Sequence, residues 1–192
     1  MAANDFYQTD ATNPHLGGNL RDGDPNTYAP SVWDYMIDRF AVSSVLDLGA
    51  GMGYSSHYFF KKGMKVISVE GMKDNVENAV YPSILHDLTE SPVNCKVDLV
   101  HCQEVVEHIE EKFVDNLLRS LACGRFILMT HAVPGQDGHH HVNCQPTEYW
   151  VEKLARYNYR LLVIDSNRVR ALAGKDSAIF LAATGLVFAR GQ

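Results

Sequence analysis

The chain has 192 residues, 46% of them hydrophobic and 21% charged, which suits one soluble globular unit with a sizeable core. Its net charge of −6 is a poor match for a phosphate backbone, whose binding rests on Lys and Arg contacts. No apolar run is long enough for a membrane helix, and the polar, acidic start Met1–Asp10 lacks a signal-peptide pattern, so a cytoplasmic protein is expected.

The charge is unevenly placed. Residues 1–150 carry 10 Lys/Arg against 20 Asp/Glu, whereas residues 151–192 carry 7 against 3. Arg156, Arg160, Arg168, Arg170 and Lys175 therefore form either a local basic patch or a solvated face. Cys95, Cys102, Cys123 and Cys144 are scattered without a Cys-x-x-Cys pair, which reads as reduced thiols.

In chain order, residues 1–29 show turn chemistry, as in Asn13-Pro14 and Asp22-Gly23-Asp24-Pro25. This segment is a frayed tail or an ordered lid, and Phe6, Tyr7 and Tyr28 give it something to pack with. Pro30 opens a helix, Ser31 to Phe40, with Trp33, Ile37 and Phe40 on its core face. Val45–Gly53 (Val-Leu-Asp-Leu-Gly-Ala-Gly-Met-Gly) reads as a buried strand breaking into a glycine turn, followed by a helix. Glycines permit the sharp turn and a close ligand approach, and the helix start offers unpaired N–H groups. Lys65–Glu70 is a second strand ending in a carboxylate, placed roughly 20 residues past the first glycine, where nucleotide-binding sheets put a ribose ligand. Asp74–Tyr81 is a helix, Ser83–Asp87 a short strand and Lys96–His101 a fourth strand.

Ile109, Phe113, Leu117 and Leu121 mark the next helix, and Arg125–Thr130 is an apolar run suited to a central parallel strand. A polar loop spans His131–Gln145, and Pro146 opens a helix lined by Trp150, Leu154 and Tyr157. Tyr159–Asp165 and Leu186–Ala189 read as two closing strands with little but Ser166–Gly185 between them. Two clusters follow strand ends: Glu104-Val105-Val106-Glu107-His108 and Gly138-His139-His140-His141. On a helical turn Glu104, Glu107 and His108 would share one face. Oxygen ligands with imidazoles suit a hard or borderline divalent ion.

Asp47-x-Gly49-x-Gly51-x-Gly53 resembles motif I of the class I S-adenosylmethionine-dependent methyltransferases. The resemblance implies an α/β, Rossmann-like fold: a mostly parallel seven-stranded sheet with helices on both faces. It implies S-adenosylmethionine as cofactor, held by Asp47, Gly49, Ala50, Gly51, Gly53, Glu70, Gly71, Asp87 and Gln103, with Asp87 placed to take the adenine amino group. Glu-Val-Val-Glu-His followed by a histidine loop resembles the metal site of small-RNA 3′-terminal 2′-O-methyltransferases and, in part, ubiquinone-biosynthesis O-methyltransferases. Carried over, Glu104, Glu107, His108 and one of His139, His140 and His141 would hold Mg²⁺ or Mn²⁺. In an extended loop His139 and His141 point the same way and His140 the other.

Glu107, His108 and His131 are the catalytic candidates. A metal lowers a hydroxyl pKa, and without one His108 or His131 would take the proton. Looser resemblance to glycan-modifying methyltransferases points to O-methylation of a sugar or small polar metabolite. An acidic chain argues against nucleic acid, but an RNA-terminal enzyme using the basic segment and a non-catalytic cofactor-binding module remain alternatives.

Overall fold

In a computed structural model the described residues are 7–8, 10, 12–17, 19–20 and 22–191. Phe6 and the side chain of Tyr7 lie outside them. A short antiparallel ribbon, β1 (Tyr7–Gln8) and β2 (Asn19–Leu20), precedes a single 3-10 turn at Pro25–Thr27. The remaining strands are β3 (Ser44–Leu48), β4 (Lys65–Glu70), β5 (Ile84–Leu85), β6 (Val97–Cys102), β7 (Gly124–Met129), β8 (Tyr159–Leu161) and β9 (Leu186–Arg190). They form one seven-stranded sheet in the order β5-β4-β3-β6-β7-β9-β8. Neighbours from β5 to β7 run parallel, and β9 runs antiparallel to both β7 and β8.

Alternation along the strands divides the core in two. Val45, Leu99, Leu128 and Val187 pack on one face against α1 (Pro30–Phe40), α2 (Tyr54–Lys61), α6 (Val163–Asp176) and α7 (Ile179–Thr184). Leu46, Val100, Ile127 and Phe188 face the other way, onto α4 (Val114–Leu121) and α5 (Thr147–Ala155). α3 (Lys73–Asn78) follows β4. Helices thus cover both sides of a mostly parallel sheet, which is the expected Rossmann-like methyltransferase fold.

Several boundaries differ from the sequence reading, each for a physical reason. In α1 the fully buried side chains are Val32, Trp33 and Met36, while Ile37 and Phe40 are partly buried at its margin. The expected helix Asp74–Tyr81 is Lys73–Asn78, and the expected strand Ser83–Asp87 shrinks to Ile84–Leu85 at the sheet edge. The helix expected from Ile109 begins at Val114 after a 3-10 turn at Glu111–Phe113.

The largest correction lies between Tyr159 and Gly185. The run Leu161–Ile164 looks like strand, but Val163 and Ile164 are exposed and open the 14-residue α6. The buried stripe of α6 includes Asp165 and Ser166, so its apolar period is broken. Asp165 accepts hydrogen bonds from Tyr35 Oη at 2.8 Å and Arg39 Nε at 3.1 Å. Ser166 Oγ donates to the Leu162 carbonyl and accepts the Val187 N–H, tying α6 to β9.

Leu99, wholly buried in the middle of the sheet, should lose about 2–5 kcal/mol of stability on Leu99→Ala. Ile164→Ala, at an 83% exposed position, should stay within about 0.5 kcal/mol. Urea denaturation of both variants measures the contrast.

Candidate functional site

At the carboxyl end of β3 the chain turns through Gly49, Gly51 and Gly53, with φ of 72°, 55° and 77°. A side chain at Gly49 would collide with Val105, because its Cβ would stand 2.3 Å from Val105 Cγ2. The Val69 carbonyl accepts the N–H groups of Gly49 and Ala50, and Gly53 caps α2. Glu70 closes the turn from β4. Its Oε2 accepts the Gly51 N–H at 2.7 Å, and its Oε1 accepts the Met72 N–H at 2.8 Å. Burial raises the Glu70 pKa, and those N–H groups oppose the rise. The terminal acid of the second strand thus braces the glycine turn.

Asp47 lies beneath the turn and is almost fully buried. Its Oδ1 pairs with His101 Nδ1 at 2.7 Å, and its Oδ2 accepts from Ser55 Oγ at 2.5 Å and Ser56 Oγ at 2.6 Å. Trp33 Nε1 donates to His101 Nε2 at 3.3 Å. A tryptophan N–H can only donate, so His101 Nε2 accepts and Nδ1 carries the proton given to Asp47. Burial works to raise the Asp47 pKa, but His101, Ser55 and Ser56 win and hold the carboxyl below its usual range. The sequence reading missed Trp33, Ser55, Ser56 and His101 as members of this network.

A cavity of about 1110 Å³ opens above the turn. Gly49, Ala50, Gly51 and Met52 line it, together with Gln103, Glu104, His108, His139 and His141. Tyr28, Tyr54 and Phe180 add aromatic surface, while Asp22, Asp24, Asp137 and Asp176 add carboxylates. No Lys or Arg is among the described residues that line it. Gln103 is 8% exposed, and neither its Nε2 nor its Oε1 has a partner. Buried amides without partners are uncommon, so this one is poised for a ligand. Glu70, Gly71 and Asp87 face a smaller adjoining space that also meets Gly49 and Val105.

Glu104, Glu107 and His108 do not form the expected helical turn. Glu104 has a left-handed backbone, φ 56°, and only Val106–His108 makes a 3-10 turn. Glu104 Oε1 accepts from Thr130 Oγ1 at 2.8 Å, and the same hydroxyl accepts the Glu104 N–H. Glu107 is fully buried with both carboxyl oxygens unpartnered. Its carbonyl accepts the Val142 and Asn143 N–H groups, both at 3.0 Å, which pins the histidine loop beside it. Among the three loop histidines, His141 packs its ring on His108, with centroids 5.2 Å apart. His108 Nδ1 and His141 Nδ1 are buried without partners. His139 Nε2 lies 2.9 Å from the Pro14 carbonyl, and His140 turns towards His15.

Burial and the nearby Glu104 charge push the Glu107 pKa up to about 8, and burial lifts Glu104 to about 7. Burial, together with His141, pulls His108 down to about 4. Glu107 and His108 therefore favour their neutral forms near pH 7, while Glu104 is shared between its two forms. Among the described residues, no three His, Cys, Asp or Glu side chains converge as a ready metal cage. The turn of Glu104 towards Thr130 is one reason.

His131, the remaining catalytic candidate, lies apart from this cluster. It is 2% exposed, is absent from the cavity lining, and its Nε2 meets Thr147 Oγ1 at 3.1 Å. It joins the end of β7 to the start of α5.

Residues 46–129 match a family model described as a methyltransferase domain. They span the glycine turn, Glu70 and the Glu104–His108 cluster, within a sheet that has the Rossmann-like methyltransferase fold. The fold is shared with solved structures of low sequence identity. Magnesium protoporphyrin IX methyltransferase from Synechocystis PCC 6803, solved with bound S-adenosylhomocysteine, is 14% identical with a TM-score of 0.60, over 83% of this chain and 80% of that one. A TehB-like S-adenosylmethionine-dependent methyltransferase from Corynebacterium glutamicum is 17% identical with a TM-score of 0.59, over 85% and 88%. An S-adenosylmethionine-dependent methyltransferase from Archaeoglobus fulgidus is 18% identical with a TM-score of 0.58, over 72% and 71%. No curated protein matches the sequence.

The Asp47 network predicts a pH signature. A carboxyl with a lowered folded pKa contributes stability above its unfolded pKa of about 3.9 and loses it as pH falls through the folded value. Asp47→Asn should therefore cost about 1.5–3 kcal/mol near neutrality. The gap from wild type should shrink below about pH 4. Urea unfolding at both pH values tests this.

Proposed function

We propose that this enzyme methylates a hydroxyl of a sugar or similar small polar metabolite, assisted by a divalent ion, with residues 1–29 serving as a lid on one catalytic domain. The observation that carries the proposal is a set of buried atoms without partners, the Glu107 carboxyl oxygens and the Nδ1 atoms of His108 and His141, of which the two histidines line the same cavity as the glycine turn. Buried groups of this kind are costly unless something completes them. Glu104, Glu107, His108 and His141 would hold the ion, and His139 is a further candidate. When bound, Mg²⁺ or Mn²⁺ would lower the pKa of an acceptor hydroxyl.

The cofactor would sit on Gly49–Gly53, with its ribose near Glu70, its adenine near Gly71 and Asp87, and its amino-acid end near Gln103. The acceptor oxygen attacks the methyl carbon as the carbon–sulfur bond breaks, and sulfur leaves as a neutral thioether. The hydroxyl proton must depart. In the metal-free alternative His108 would take it, unprotonated at neutral pH but made a weak base by the burial that pulls its pKa down to about 4. The histidine, glutamine and aspartate groups lining the cavity suit a polyol.

The lack of Lys and Arg among the described lining residues gives little support to an RNA terminus as acceptor. Of the basic segment, Arg156 pairs with Glu152 and Arg170 donates to the Gly185 carbonyl. Among the described residues no helix is long and apolar enough to cross a membrane; a cytoplasmic location is part of the proposal.

Assays with a labelled methyl donor and a panel of sugars and glycans should show turnover that EDTA abolishes and Mg²⁺ or Mn²⁺ restores. Chelator-insensitive turnover would remove the metal from the proposal. Glu107→Ala and His108→Ala should lower turnover by roughly 100-fold or more, the usual scale for lost acid–base or electrostatic help. Calorimetry should find their affinity for S-adenosylhomocysteine unchanged within about twofold, a difference worth less than about 0.5 kcal/mol. His131→Ala should keep most of its activity. Tight cofactor binding without transfer to any acceptor would favour the non-catalytic module.

A further inference from the structure

The space assigned to the purine is already filled by the chain itself. His15 Nε2 stands 2.8 Å from Asp87 Oδ2, with both side chains mostly buried. Leu16 lies so close over Gly71 that a Cβ there would sit 2.5 Å from its Cδ2. The room left between Gly49, Glu70, Asp87 and Val105 is about 60 Å³. That is the share of roughly two water molecules and far below what a nucleoside needs. The segment is held by its own turn: Asp10 Oδ1 accepts the Thr12 and Asn13 N–H groups, and the Asn13 carbonyl accepts the Leu16 N–H at 2.8 Å. Its other anchor is the contact between the Pro14 carbonyl and His139 Nε2.

We propose that residues 13–17 are a built-in competitor of the cofactor, occupying the adenine subsite until the nucleoside displaces them. The inference rests on the reading that Gly71 and Asp87 receive adenine. His15 holds the carboxylate that the exocyclic amine would use, and Leu16 covers the surface on which the ring would lie. Displacing them also separates Pro14 from His139, so cofactor entry releases a side chain of the acceptor wall. The resting enzyme is thereby closed to nucleosides, and its apparent affinity is the intrinsic affinity multiplied by the open fraction.

Hydrogen exchange on the full chain distinguishes displacement from clamping by its sign. Saturation with S-adenosylhomocysteine should speed exchange at the Thr12, Asn13 and Leu16 amides. Slower exchange would overturn the proposal, because the segment would then be a wall that closes on bound adenine. The double variant His15→Ala/Leu16→Ala should bind S-adenosylhomocysteine about tenfold more tightly by calorimetry, as expected if most molecules are closed at rest. Equal or weaker binding would also overturn it. If neither protein bound the compound, the cofactor placement itself would fall, and this proposal with it.

Discussion

The buried contact between Asp47 and His101 is the constraint around which the site is assembled. Two neighbouring parallel strands supply the pair, α1 fixes the imidazole tautomer through Trp33, and α2 supplies two serine hydroxyls. A carboxylate removed from water is tolerated only when its oxygens are satisfied. Here the partners come from α1, α2 and β6, three elements packed around the glycine turn. Trp33, Asp47, Ser55 and His101 also line the cavity, so the fold's internal Asp–His pair and the pocket share one foundation.

Glu70 performs the second half of that work. By accepting two backbone N–H groups, one from the turn and one from its own loop, it fixes the turn's distance from β4. The histidine wall is tied down differently. The Glu107 carbonyl accepts two N–H groups of the loop, and Asn143 Nδ2 donates to the Ile109 carbonyl at 3.1 Å. Backbone contacts thus position this wall, while the Glu107 carboxyl and the His108 and His141 Nδ1 atoms remain uncommitted. Burial favours the neutral forms of Glu107 and His108, and a cation would reverse this at the carboxyl by drawing its proton off.

Much of this was legible in the sequence because it is local. Strand, glycine turn and the acid of the second strand are encoded by short-range spacing, and the glycines at 49, 51 and 53 do adopt the left-handed backbone that explains them. The Asp47–His101 contact joins residues 54 positions apart, and nothing near His101 marks it. α6 was hidden because polar residues bonded to neighbouring elements occupy part of its buried stripe. His131 and His141 look alike in the sequence. They part in space because one follows β7 into α5's first turn while the other lies in a loop held against Glu107. Likewise, a periodic reading of Glu104–His108 could not foresee the left-handed residue at its start.

The position of β9 has a consequence for biogenesis. Leu186, Val187 and Phe188 are buried between two strands made before them, β7 and β8. During vectorial synthesis β8 has no sheet neighbour until β9 emerges and slides in antiparallel. Until then one flank of β7 and the apolar residues destined to cover it stay open, a state in which foreign strands can pair. Sheet completion is therefore a late event in the life of each molecule, and a chaperone that shields unpaired strand edges would act in that interval.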